Sequence, residues 1–473
     1  MITLDGVTTL GFISVLPPLI AIVLAFWTRD TILSLGIACV VGGLLAGGGL
    51  LGFPNLMKEA LGNESFSWIF LLEIFIGILI AFFQRTGAIQ SFAETIGKRN
   101  ASRKKIGATT WFMGLFVFFS DYFSPVFVGS TMRKVTDKVK MSREKLAYIC
   151  DSTSAPVSVI VPITGWAVFI SGLLIGLGPI QTESDAIAVF TKSIPFNFYA
   201  VLSVLLVGLI ATGVVKDFGP MKKAEERAQK EGKLIRDGST PLVSKELTSI
   251  QPYFKDRLLS IVWNFFLPVL LIITIAVGTY IGLGSAKTME AFLAAVIFLG
   301  IVMRMQGIPV KDIMNTAMNG IKGIMPAIMI LVFAYTINAL SEQMGTANYL
   351  IQVTESWLNP GLLPAITFLL AGLIAFSTGT SWGTFGIMIP IAVPIAIGFA
   401  GGDINTVVLA TIAAVAGGGV FGDHCSPLSD TTILASTGAA VDHIDHVRTQ
   451  IPYSILVGCI GLSIYLVLGL VGS

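Results

Sequence analysis

The chain has 473 residues, 54% hydrophobic and 12% charged, against roughly 45–50% and about 25% in ordinary soluble domains. Lys and Arg (30) nearly balance Asp and Glu (28) at a formal +2, which excludes the basic field that nucleic acid would require. Four scattered cysteines, Cys39, Cys150, Cys425 and Cys459, have neither disulfide-framework nor zinc-site spacing, and packing is their expected role.

Taken in chain order, the first apolar run follows MITLDGVTTLGF, which has no basic n-region and no small-residue cleavage site, so it is expected to stay as a span. Segments able to cross ~30 Å of hydrocarbon fall at 10–27, 32–53, 66–83, 146–175, 194–215, 258–283, 289–303, 324–340, 404–434 and 449–471. Two more, 106–131 and 361–398, are interrupted by FFSDYFSP (118–125) and FSTGTSWG (376–383) and are expected to enter and leave on one side. Paired short spans there would leave the orientation of the rest unchanged. With the N-terminus outside, 27 of the 30 Lys and Arg lie on the inner side and only Lys58, Lys192 and Lys287 outside, as retention of basic loops in the cytoplasm requires. Both termini are then external. The charged stretch 216–257 reads as a cytoplasmic linker, solvated, with a helical start.

The linker separates two halves, 1–215 and 258–473, that share an order of features. GAIQSFAETI (87–96) lies opposite GTANYLIQVT (345–354), FSDYFS (119–124) opposite FSTGTS (376–381), and DSTSAP (151–156) opposite DHCSPLSDTT (423–432). Five crossings in each half start the second on the opposite side from the first. The expected fold is therefore an all-α polytopic membrane protein of two inverted-topology repeats of five spans, each with a re-entrant hairpin and a broken helix. That plan belongs to secondary transporters, which hold substrate near the midplane.

Irregular backbone at membrane depth survives only where protein covers it or it lines a cavity. Four interruptions qualify, at 120–125, 151–156, 377–383 and 423–432, all rich in hydroxyls, Gly, Pro or Asp. Their half-helix ends offer carbonyls to a cation and N–H groups to an anion. Helix kinking for packing is the plainer reading of any one break, but four in matched pairs argue for a site. Apart from Glu290 at a span edge, the carboxylates at depth are Glu73, Asp121, Asp151, Asp423 and Asp430, and no Lys or Arg shares those segments. A buried carboxylate without a basic partner is either protonated or neutralised by a bound cation, which are the two halves of a cation/proton exchange cycle. Asp423 and Asp430 flank HCSPLS; Asp121 sits beside Ser120 and Ser124, and Asp151 precedes Ser152, Thr153 and Ser154. Helix capping is the alternative for Asp430 and for the DSTS string. Glu73 stands alone in WIFLLEIFIGILIAFF as a proton-relay candidate. His424 beside Cys425 completes no transition-metal motif, and His443 and His446, in VDHIDHVR, are expected in a solvated turn.

FGDHCSPLSDTTILAS (421–436), VDHIDHVRTQIPYS (441–454) and MSREKLAYICDSTSAPVSVIVPITGW (141–166) resemble the NhaC family of Na+/H+ antiporters. With the repeat, the resemblance extends over essentially the whole chain. It implies the ion transporter superfamily architecture of two hairpins and two broken helices around a midplane site, often moving as an elevator, in a prokaryotic plasma membrane. It further implies Ser120, Asp121 and Ser124 at the first tip, and Asp151, Ser152, Thr153 and Ser154 at the first break. Ser377, Thr378, Thr380 and Ser381 would form the second tip, and Asp423, Ser426, Asp430, Thr431 and Thr432 the second break. Relatives often carry paired acids where this chain has Ser120-Asp121. Family members include Na+/H+ antiporters, a malate/lactate exchanger and amino-acid permeases.

The leading expectation is Na+/H+ exchange, with Na+ and H+ as coupling ions and no cofactor, and a homodimer among the possible assemblies. The alternative is Na+-coupled transport of an amino acid or small organic acid. An intramembrane aspartyl protease is disfavoured by GVFGD in place of GxGD and by the absence of HExxH. A channel would have no need of two inverted gates.

Overall fold

The computed structural model describes residues 2–4, 7–28, 30–47, 49–62, 64–89, 91, 102–118, 121–162, 164–243, 250–254, 259–283, 287–346, 349, 353 and 359–472. An antiparallel pair, β1 (Ile2–Leu4) with β2 (Val7–Thr9), precedes the helices. The first group is α1 (Leu16–Thr28), α2 (Thr31–Leu45), α3 (Gly49–Gly62) and α4 (Glu64–Arg85). Next come α5 (Arg103–Phe116), α6 (Phe123–Lys138), α7 (Arg143–Ser152), α8 (Ala155–Ile160), α9 (Gly165–Leu174), α10 (Glu183–Ser193) and α11 (Phe198–Ala211). After α12 (Gly219–Glu231), the rest comprises α13 (Leu267–Leu283), α14 (Thr288–Met305), α15 (Val310–Gln343), α16 (Leu363–Thr378), α17 (Ser381–Phe399), α18 (Thr406–Cys425), α19 (Asp430–Ala439) and α20 (His443–Gly472).

Among the described residues, six helices are long and apolar enough to cross a membrane singly, and three pairs bent by 47°, 51° and 43° raise the number to nine. The protein is a polytopic helical membrane protein. The apolar run expected at 32–53 is not one helix: α2 ends at Leu45, Ala46 caps it, and α3 begins at Gly49. The glycine-rich sequence there weakens helix continuity.

Polar residues set the helix starts. Side chains of Ser102, Ser142, Thr164, Asn197, Asn405 and Ser429 accept from backbone N–H groups in the first turns of α5, α7, α9, α11, α18 and α19, satisfying donors that have no partner within the helix. A small apolar core of α7, α11, α12 and α20 residues is accompanied by two larger ones. One joins buried residues of α1, α2, α4, α6, α13, α14, α15 and α19; the other joins those of α8 to α11, α16, α17, α18 and α20. Trp382 of α17 packs against both, and the interruptions lie where they meet.

The linker is not a solvated connector. Its α12 forms as expected, but Met221, Ala224, Glu225 and Ala228 are buried. Lys145 reaches Asp217 at 2.8 Å, Arg227 binds Glu144 at 2.7 Å and Arg236 binds Asp445 at 2.9 Å, while Arg103 pairs with Glu225. The hydrogen bond to Asp445 also pushes the Arg236 pKa up, so its charge persists throughout the accessible pH range. The charge alternation that reads as solvation in sequence instead matches charges on the ends of α5, α7 and α20.

Candidate functional site

Each interruption places polar groups in the interior. At the first tip, α5 gives way to α6 across 117–122; Ser120 lies outside the described residues. Asp121 is buried and accepts a 2.8 Å hydrogen bond from Trp166 Nε1. Ser124, in the first turn of α6, is fully buried with an unpaired hydroxyl.

At the first break, α7 ends at Ser152, and Thr153 and Ser154 intervene before α8. The Thr153 hydroxyl donates to Ile149 O (2.7 Å) and Ser154 to Asp151 O (2.7 Å). Ser154 therefore does not cap α8, as a capping DSTS string would require. Asp151 is fully buried. Its Oδ2 accepts from Gln450 Nε2 (2.6 Å) and Thr432 Oγ1 (3.1 Å), and His446 Nε2 lies 3.4 Å away.

The second tip turns between α16 and α17. Ser377 and Thr378 hydroxyls donate back to Ile374 O, at 3.0 and 2.8 Å. Gly379 adopts φ +75°, and a Cβ there would lie 2.6 Å from Leu428 O, so both the turn and the approach of the second break require glycine. Thr380 is half-buried, and Ser381, opening α17, donates to Asp423 Oδ2.

At the second break, α18 stops at Cys425, and Ser426 Oγ donates to Phe376 O of the second tip (2.7 Å). Ser429 caps α19, the role that Asp430 could have taken. Asp430 is thereby free to accept from Tyr122 at the first tip (3.0 Å) and from Thr431 N (2.7 Å). The Thr431 hydroxyl lies 3.2 Å from that of Ser429, and Thr432 bridges towards Asp151.

The second break thus bonds to both tips and to the first break, and Trp166 against Trp382, with ring centroids 5.2 Å apart, closes the circle. Asp121, Asp151 and Asp430 all act electrostatically on Asp423. Among the described residues no Lys or Arg pairs with these four acids; an imidazole, that of His446, lies with its Nε2 3.4 Å from Asp151 Oδ2. Asp423 Oδ1, Asp151 Oδ1 and Ser124 Oγ are buried without a hydrogen-bond partner. Leaving a buried polar atom unsatisfied costs about 1–3 kcal/mol, so the arrangement suits an additional positive ligand. A cavity of about 10 Å³ beside Asp430, Thr378 and Thr380 is close to the minimum for one water.

Glu73 stands outside this network: it is fully buried on α4, and neither carboxyl oxygen has a partner. His443 and His446 are buried rather than solvated. His443 bonds to Pro427 O (2.9 Å) and Ser436 (3.0 Å), and His424 Nδ1 meets Tyr199 Oη at 3.0 Å. The start of α20 packs onto α7 and α19, so the turn lies inside. Trp166, Tyr122, Tyr199, His446 and Gln450 are absent from the set expected by sequence. His446 and Gln450 fall four apart within VDHIDHVRTQIPYS, a helical spacing that puts both on one face.

The family model for the Na+/H+ antiporter family matches residues 174–470. An uncharacterised protein of Haemophilus influenzae is 34% identical over 96% of this chain and 90% of its own length. The arginine/ornithine antiporter ArcD of Halobacterium salinarum is 36% identical over 31% of this chain and 29% of its own. The Na+/H+ antiporter NhaC of Alkalihalophilus pseudofirmus is 33% identical over 29% of each. With buried, partly unpaired carboxylates at three of the four helix interruptions and a family match over more than half its length, the chain belongs to the Na+/H+ antiporter family and is a secondary transporter, not an enzyme.

Proposed function

We propose that the protein exchanges Na+ for H+ at the carboxylate network, by alternating access, in the plasma membrane of a prokaryote. The observation that carries this reading is Asp423. It is buried where the second tip meets the second break, one oxygen bonded to Ser381 and the other without a partner. Asp423 and Asp430 would supply charge, and Ser124, Ser381 and the carbonyls ending α16 and α18 neutral oxygens, the ligand chemistry of a hard cation. A proton added to these acids removes the charge that holds Na+, so the two compete for one site.

Support for inverted repeats is the recurrence of a hairpin followed by a broken helix: α5–α6 then α7–α8, and α16–α17 then α18–α19. Support for a cytoplasmic linker and external termini is the bias of basic residues towards one set of loops.

The test uses proteoliposomes with a trapped pH dye and clamped potential. An inward Na+ gradient is expected to alkalinise the lumen, and Asp423→Asn to abolish the response while the protein still inserts. Unchanged exchange by Asp423→Asn would remove that residue from the site. An amino-acid antiporter is the second reading, favoured by the name of the Halobacterium relative and by acids able to hold an ammonium group. It requires that the dye stay silent to Na+ alone and that a radiolabelled amino acid cross the membrane in exchange for a trapped one.

A further inference from the structure

A second cavity, about 160 Å³, is lined by Asn338, Ser341, Glu342, Thr378 and Gly383 among others. It shares Asn338 and Thr378 with the small cavity beside Asp430, so the two lie side by side. We propose that this cavity is a first binding station for a partly hydrated Na+, from which the ion passes to Asp430. The inference rests on the reading of the protein as a Na+ transporter.

Three observations carry it. First, Ser341 is buried at 2% exposure, lines the cavity and has a hydroxyl without a hydrogen-bond partner. A helical serine can return its proton to a carbonyl one turn back, as Thr336 does to Val332 O at 2.8 Å; Ser341 leaves its oxygen to the cavity. Second, the lining includes a carboxylate and neutral oxygens but no Lys or Arg. Asn338 Nδ2 holds Glu342 Oε1 at 3.1 Å, and Glu59 on α3 is near enough to act on Glu342 electrostatically, so the mouth attracts cations. Third, the volumes differ in kind. One water needs about 10–15 Å³, so the larger space holds an ion with several waters, whereas the smaller, of about 10 Å³, admits it only stripped of most of them.

The station faces away from the linker. Arg85 binds Asp312 near the start of α15 at 2.8 Å and also Gln251 O at 3.0 Å, whereas Glu342 lies at the far end of that 34-residue helix.

Ser341→Cys and, separately, Asn338→Cys would be made with Cys459→Ser, since Cys39, Cys150 and Cys425 are buried. A membrane-impermeant thiol reagent is expected to label both from the face opposite the linker, and Na+, but not N-methylglucamine, to slow labelling several-fold. Labelling from the linker face, or at a rate indifferent to Na+, would overturn the proposal. In transport, Glu342→Gln is expected to raise the Na+ KM several-fold from that face alone with kcat kept, the pattern of lost binding that precedes the rate-limiting step; an equal rise from both faces would contradict a one-sided station. Na+ protection without any proton exchange by the unsubstituted protein would leave the station standing and refute the antiport reading.

Discussion

Asp423 and Asp430 are bound to different partners, Ser381 and Tyr122, yet act on each other through a shared interior. If one proton competes with each Na+, the apparent Na+ affinity rises about tenfold per pH unit while the site is largely protonated. Rising pH therefore favours Na+, and a Na+ affinity independent of pH between 6 and 9 in a transport titration would refute the competition. Gln450→Leu removes the 2.6 Å donor to Asp151. A hydrogen bond to a charged group is worth about 1.5–3 kcal/mol, so the Na+ KM should shift by about tenfold or more if Asp151 belongs to the site; an unchanged KM with lowered thermal stability would make the bond purely structural. The acids and hydroxyls were legible from sequence because polar residues stand out against apolar runs. Gln450 and His446 were not, because their importance depends on which face of α20 turns towards α7.

Helix ends bring the interruptions together, and close backbone contacts hold them. A Cβ on Gly438 of α19 would lie 2.3 Å from Pro125 O of α6, so Gly438→Ala must push α19, which follows the second break, away from the first tip. Gly379→Ala adds a left-handed conformation costing about 1–2 kcal/mol to its contact with Leu428 O. Gly238→Ala is the control, with φ +71° but open space around it. Detergent-solubilised Gly379→Ala and Gly438→Ala are expected to melt several degrees lower and to lose stabilisation by Na+, whereas the control loses only the strain and keeps its Na+ response. Equal behaviour of all three would show that the backbone approach is not needed for the site. The interruptions themselves could be read from the Gly, Pro and hydroxyl content of FSTGTSWG and DHCSPLSD. The division of 32–53 into two helices is marked in sequence only by the glycines at 47–49, which an apolar run by itself does not single out.

At the scale of the molecule, the linker is tied onto the broken helices it follows. Arg227 binds Glu144, which is 1% exposed, and removing the cation from a buried pair costs about 3–5 kcal/mol. Arg227→Ala should therefore lower the melting temperature and speed tryptic cleavage near α12, whereas Lys230→Ala, which breaks the exposed pair with Glu226, should change stability by less than about 1 kcal/mol. Similar melting and cleavage for the two variants would make the docking energetically irrelevant. Alternating Lys and Glu in KKAEERAQKE suits a solvated helix and a docked one equally, and only the charges waiting on α5, α7 and α20 distinguish them.

Calorimetric titration of purified protein with Na+, in two buffers of different ionisation enthalpy at one pH, bears most directly on competition of Na+ and H+ for the carboxylates. The expected result is an apparent binding enthalpy that differs between the buffers because protons leave as Na+ binds, and no such difference for Asp423→Asn. Sodium binding with the same enthalpy in both buffers would contradict it.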